Sequence, residues 1–166
     1  MIIWIASYPK SGNTWVRSFL TAYYFCENGI FDIKKLSLIE DYPNKQFFKE
    51  KVKRGEIHKH WEKSQKDIRE QKKVKFLKTH NSLITAFGND FTKPEYSLGV
   101  IYVIRDPRNV ITSVKNHNDL DTYDQALKFM QDENKVLEDY PHLKNYAKTN
   151  IVNSWRINYQ SWLSNK

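Results

Sequence analysis

A chain of 166 residues is long enough for one domain with a real core and too short to expect two. With 40% hydrophobic and 28% charged residues it has the composition of a soluble globular protein. Its formal charge of +8 is unevenly placed, because Lys45 to Lys78 holds 13 of the 27 Lys and Arg but only 5 of the 19 Asp and Glu. No apolar run approaches a membrane span, and no basic leader with an apolar core precedes the first strand-like run, so a cytoplasmic protein with no membrane attachment is expected. The single cysteine, Cys26, excludes an intramolecular disulfide, fits a reducing compartment and reads as an inert buried thiol on the first helix.

In chain order, the apolar run Ile2-Ile3-Trp4-Ile5-Ala6 predicts a strand, and "SYPKSGNT" a loop of small and turn-forming residues. Helical spacing then takes over with Trp15, Phe19 and Tyr23. A turn near Glu27 to Gly29 leads to irregular chain as far as Pro43. Two polar helices are expected over Gln46 to Arg54 and Trp61 to Gln71; their interleaved acids make the basic block a solvated face or an attractor for an anionic partner. "VKFLKTH", Val74 to His80, reads as a short strand. "LGVIYVIRD", Leu98 to Asp106, reads as a longer strand buried on both faces, as in a parallel sheet covered by helices. Asp106 and Pro107 then start a helix as cap and first residue. Further helices are predicted over Thr122 to Leu137 and Thr149 to Leu163.

Strands alternating with helices imply an α/β fold with a mainly parallel sheet, and such folds gather ligands beyond the carboxyl ends of their strands. The three predicted strands end in "SYPKSGNT", "KTH" and "RDPRN". The first suits a phosphate: backbone amides from Ser11 to Trp15 at a helix N-terminus, Gly12 for close approach, the Thr14 hydroxyl, and Lys10 as a point charge. Against the Walker pattern, Asn13 stands at the lysine position and the lysine comes three places earlier, at Lys10. The second places Lys78 and His80 on one side of a strand end, where a nearby lysine favours the neutral imidazole that a general base needs. The third offers Arg105 and, two turns later, Ser113 to a second phosphate, with Arg108 expected to pair with Asp106. No Walker B aspartate with a clean motif and no metal-spaced ligand set accompanies them, which points away from ATP hydrolysis.

"YPKSGNTW" resembles the 5′-phosphosulfate loop of the sulfotransferases that use 3′-phosphoadenosine 5′-phosphosulfate (PAPS). "FLKTH" is similar to their catalytic Lys-x-His segment, and "YVIRDPRNVITS" to their 3′-phosphate motif. Asn13 stands where many members have Thr. The resemblance, running from Ile2 to Leu163, implies a three-layer sandwich of the P-loop NTPase type and sulfuryl transfer from PAPS, without a metal, to a hydroxyl or amine. By the same resemblance Lys10, Lys78 and His80 are the catalytic residues. Lys10 neutralises the leaving phosphate, Lys78 steadies the sulfuryl oxygens, and His80 takes the acceptor proton. Ser11, Gly12, Asn13, Thr14 and Trp15 hold the 5′-phosphate, with the Trp15 ring near the adenine; Arg105 and Ser113 grip the 3′-phosphate. One domain spanning 1–166 is expected, without the family's late strand and the loop that closes over adenine. A small-molecule or glycan acceptor is expected, with its pocket within Phe31 to Trp61, and an oligomer is compatible with the sequence; nucleic acid and membranes are not expected partners. The competing readings are a nucleotide-binding module that no longer turns over, a P-loop kinase, which Asn13 argues against, and, more remotely, a nucleic-acid binder resting on the basic block.

Overall fold

The computed structural model describes residues 1–50, 52–53, 55–139 and 148–164. In chain order its elements are β1 (Ile2–Ser7), α1 (Asn13–Phe25), β2 (Glu40–Asp41), α2 (Trp61–Glu70), β3 (Lys75–Thr79), β4 (Thr85–Ala86), β5 (Asn89–Asp90), β6 (Ser97–Val103), α3 (Pro107–His117), α4 (Tyr123–Gln131), β7 (Val136–Asp139), β8 (Lys148–Ile151) and α5 (Trp155–Leu163). A four-stranded sheet in the order β2-β3-β1-β6 is parallel throughout and flanked by helices, the α/β architecture expected. Its register aligns the strand ends, since Ala6 pairs with Thr79 and Ser7 with Val103. The loops after β1, β3 and β6 therefore open side by side.

Alternation along β1 sorts its side chains. Ile2, Trp4 and Ala6 enter an aromatic core with Tyr42, Trp61, Phe91 and Trp162, where the Phe91 ring lies 5.2 Å from both Trp4 and Trp61. Trp61, Ser64, Gln65 and Ile68 form the buried stripe of α2 at i, i+3, i+4 and i+7. Ser64 and Gln65 are paired there: the Tyr42 hydroxyl lies 2.7 Å from Ser64 Oγ, and Gln65 Nε2 donates to the Phe91 carbonyl at 2.6 Å. A second core, made of Tyr8, Val110, Val114, Ala126, Met130 and Val152, fixes α3 and α4 beside the loop that follows β1.

Several expectations change. The helix read from Trp15, Phe19 and Tyr23 forms as α1 with that stripe on its outer side, Trp15 being 83% exposed, and the inward side of α1 is the polar series Asn13, Arg17 and Thr21. Cys26 is half-buried, just past the end of α1. β6 is an edge strand with Leu98, Val100 and Ile101 exposed; its apolar sequence suits a central position that the sheet order does not give it. Over Gln46 to Arg54 the described chain shows a 3-10 turn at Lys45–Phe47, with the Phe47 ring packed 5.3 Å from Tyr42; Lys51 and Arg54 lie outside the described residues. The helix expected to reach Leu137 stops at Gln131, because Asp132 turns extended and its carboxylate accepts from Asn134 N at 3.0 Å. β7 and β8 then pair as an antiparallel hairpin, and α5 starts only at Trp155, capped by Ser154 Oγ accepting from Ile157 N.

Candidate active site

The three strand-end segments surround one cleft of about 610 Å³. Lys10, Gly12, Asn13, Thr14, Trp15, Lys78, His80, Arg105 and Ser113 all line it; Ser11 does not, being buried beneath the loop. The loop is shaped by positive φ at Lys10 (66°) and Gly12 (99°), the second a conformation that suits glycine. Its amides are shared out unequally. Ser11 N donates to the Tyr8 carbonyl at 3.3 Å and Trp15 N to the Gly12 carbonyl at 3.0 Å, so both are engaged inside the fold. The amides of Gly12, Asn13 and Thr14 open the helix with no carbonyl partner among the described residues. The cradle is therefore narrower than the Ser11 to Trp15 span expected from sequence, centred on three donors at the positive end of α1.

Asn13 is turned away from this cradle. Its Nδ2 donates to the Ile5 carbonyl at 3.0 Å and to Ser7 Oγ at 3.1 Å, both within the protein, and its side chain is buried. The Ile5 carbonyl can only accept, which assigns the nitrogen end of the amide to that side. Asn13 thus ties the loop to β1 through its side chain and leaves its backbone amide to face a ligand.

Ser7 leads on to His80. His80 Nδ1 lies 2.8 Å from the Ser7 carbonyl oxygen and 3.3 Å from Ser7 Oγ. A carbonyl accepts, so Nδ1 carries the proton and the ring's lone pair resides on Nε2. Asn158 of α5 supports the same stretch, its Nδ2 donating to the His80 carbonyl at 3.1 Å while its Oδ1 accepts from the Tyr102 hydroxyl at 2.7 Å.

Lys78 is held by an acid that sequence reasoning passed over. Asp41 pairs with Lys78 in the β2-β3 register, and its Oδ1 lies 3.2 Å from Lys78 Nζ and 3.5 Å from Arg17 Nη1. Arg17 also donates to the Leu36 and Ile39 carbonyls, at 3.2 and 2.6 Å. Burial pulls the Arg17 pKa below its ordinary value and the Asp41 carboxylate partly restores it. Nothing in "IEDYP" marks Asp41 as a site residue; only the strand pairing brings it to Lys78.

Arg105 reaches back to the first loop, donating from Nη1 to the Lys10 carbonyl at 3.2 Å, and so links the first and third segments. Arg108 pairs with Asp106 as the sequence suggested, with Nε 3.0 Å from Oδ1, while Arg108 N donates to Oδ1 at 2.8 Å as the cap of α3. Hydrogen bonds from Arg108 pull the Asp106 carboxyl down to about 2. The cleft thus gathers three amides with no carbonyl partner among the described residues, two lysines, an arginine, a hydroxyl from α3 and a histidine with an assigned tautomer. It has the means to hold an anion with two separated phosphates and to accept a proton beside it.

A search of curated proteins returned no match. The family model described as "Sulfotransferase domain" matches residues 2–166, and so contains every residue described above. The chain belongs to the sulfotransferase family.

Proposed function

We propose that this sulfotransferase moves the sulfuryl group from PAPS to a hydroxyl or amine. The observation that carries the reading is that the Gly12 to Thr14 amides and Lys10 share one cleft with Arg105 and Ser113, groups suited to two anions. The first set fits the 5′-phosphate and its bond to sulfate, and the second a 3′-phosphate, which adenosine di- and triphosphates lack. Lys10 sits earlier in the loop than a Walker lysine, which suits a short phosphate–sulfate bridge rather than β- and γ-phosphates.

The acceptor oxygen or nitrogen attacks sulfur, the bond from sulfur to the 5′-phosphate oxygen breaks, and adenosine 3′,5′-bisphosphate (PAP) departs. His80 takes the acceptor's proton on Nε2 while Nδ1 keeps its bond to the Ser7 carbonyl. Lys78, steadied by Asp41, faces the sulfuryl oxygens, and Lys10 neutralises charge growing on the leaving phosphate. Such a transfer rests on positioning and charge neutralisation, as in phosphoryl transfer.

The test is transfer of labelled sulfuryl from PAPS to a panel of alcohols, phenols, amines and sugars. Wild type is expected to label at least one acceptor, and His80→Ala to lose about 10²- to 10⁴-fold in rate with PAP binding retained. PAP binding without transfer to any acceptor favours the binding-module reading; labelling by His80→Ala at the wild-type rate removes the histidine from the mechanism.

A further inference from the structure

β1 is apolar from Ile2 to Ala6 and closes on a serine. Ser7 is fully buried, and among the described residues its hydroxyl meets two side chains, both from the candidate site. Asn13 Nδ2 donates to it at 3.1 Å, and His80 Nδ1 lies 3.3 Å away. Register explains the meeting: Ala6 pairs with Thr79, so the next residue of each strand end, Ser7 and His80, come together.

Two oxygens of one residue therefore share the proton on Nδ1. The Ser7 carbonyl accepts it at 2.8 Å, and Ser7 Oγ stands second at 3.3 Å. A hydroxyl oxygen has two lone pairs, and the Asn13 bond takes the other. The backbone of His80 is held separately, by Asn158 Nδ2 at its carbonyl. The freedom left to the residue is rotation of the ring about χ2, which is intrinsically broad for histidine. One acceptor at Nδ1 leaves more of that rotation open than two, and the position of Nε2 depends on it.

The other partner belongs to the phosphate loop. Asn13 begins α1, and its backbone amide is one of the three that open the helix with no carbonyl partner among the described residues. The Ser7 hydroxyl thus stands between the first residue of the phosphate-binding helix and the ring that takes the acceptor's proton.

We propose that the Ser7 hydroxyl is a positioning group for sulfuryl transfer, fixing the plane of the His80 ring and tying it through Asn13 to the loop that holds the 5′-phosphate. The inference rests on the sulfotransferase reading above. Ser7 is buried and does not line the cleft, so it acts through its two neighbours and not on donor or acceptor. Its loss is therefore read in kcat and in the behaviour of the imidazole, and not in the affinity for PAP.

Two measurements on wild type, Ser7→Ala and Ser7→Thr test this. The first is the proton–nitrogen correlation spectrum of the imidazoles in protein with isotopically labelled histidine, where His80 is assigned by its absence from His80→Ala; it requires no turnover. The His80 Nδ1–H is expected to exchange with water about three- to tenfold faster in Ser7→Ala, the scale of one neutral hydrogen bond, and at the wild-type rate in Ser7→Thr, which keeps the oxygen. The second is steady-state transfer from PAPS to an acceptor that wild type labels. There kcat should fall by the same factor in Ser7→Ala, with PAP affinity within about twofold of wild type and kcat restored in Ser7→Thr. Asn13→Ala should lower kcat as well, and adding it to Ser7→Ala should lower it no further. Wild-type exchange and kcat in Ser7→Ala, a PAP affinity that falls as far as kcat does, or a Ser7→Thr as impaired as Ser7→Ala overturns the role assigned to the hydroxyl. Additive losses in the double variant overturn its link to the loop. If wild type binds PAP and transfers sulfuryl to no acceptor, the sulfotransferase reading falls instead, and the imidazole exchange still decides the contact between Ser7 and His80.

Discussion

Replacing Asn13 with alanine separates two roles that the loop sequence leaves confounded. If the carboxamide held the phosphate, its loss would weaken PAP and spare the fold. In the structure it donates instead to the Ile5 carbonyl and Ser7 Oγ, so the loss falls on stability. Two buried neutral hydrogen bonds are worth about 1 kcal/mol each, and the vacated volume adds a fraction more. Offsetting this, Asn13 Oδ1 is buried without a hydrogen-bond partner among the described residues, and removing it relieves part of its desolvation cost. The balance is a destabilisation of about 2 kcal/mol, or about 4–8 °C in Tm for a domain of this size. Differential scanning fluorimetry gives the Tm and calorimetry the PAP affinity, expected to stay within about threefold of wild type because the Asn13 amide remains. An unchanged Tm with PAP weakened tenfold or more would refute the assignment of the side chain.

Asp41→Asn removes the acid shared by Lys78 and Arg17; these groups are partly exposed, so roughly 1–2 kcal/mol is lost. The sulfuryl-transfer rate should also fall, and a double-mutant cycle with Lys78→Ala should show less than additive losses, because Asp41 acts through Lys78. Phe91→Ala opens the aromatic core at a fully buried ring and is expected to cost about 3–5 kcal/mol, measured by urea unfolding. Asp106, with its pKa depressed to about 2 from an unfolded value near 3.9, contributes stability that is complete above about pH 4 and is lost as pH falls toward 2. The difference in urea midpoint between wild type and Asp106→Asn should therefore shrink between pH 5 and pH 2; a constant difference would count against the Asp106–Arg108 pair.

The strand-end segments were legible because each carries its own local signal. Small residues before a helix mark the loop after β1, alternation places Lys78 and His80 together, and Asp106-Pro107 announces α3 as cap and first residue. Groups that act through pairing were not legible. Asp41 has no local signature and reaches Lys78 only when β2 joins β3. Val136 and Leu137 continue the apolar spacing of α4, and only the turn at Asp132 diverts them into a strand. The aromatic repeat of α1 has helical periodicity, which reports the helix correctly but not which side faces the core; the buried side is set by Arg17 and Asn13 bonding inward. β6 is apolar enough for the centre of a sheet and sits at its edge, since composition records what a strand tolerates and not which neighbours it has.

The donor reading stands or falls on the 3′-phosphate. PAP and AMP share adenosine and the 5′-phosphate and differ in that group alone, so their affinities, measured by calorimetry on wild type and on Arg105→Ala, isolate it. Wild type should bind PAP at least about tenfold tighter than AMP, as expected for a charge-assisted contact, and Arg105→Ala should bring the two together. Equal or tighter binding of AMP by the wild-type protein would contradict PAPS as the donor.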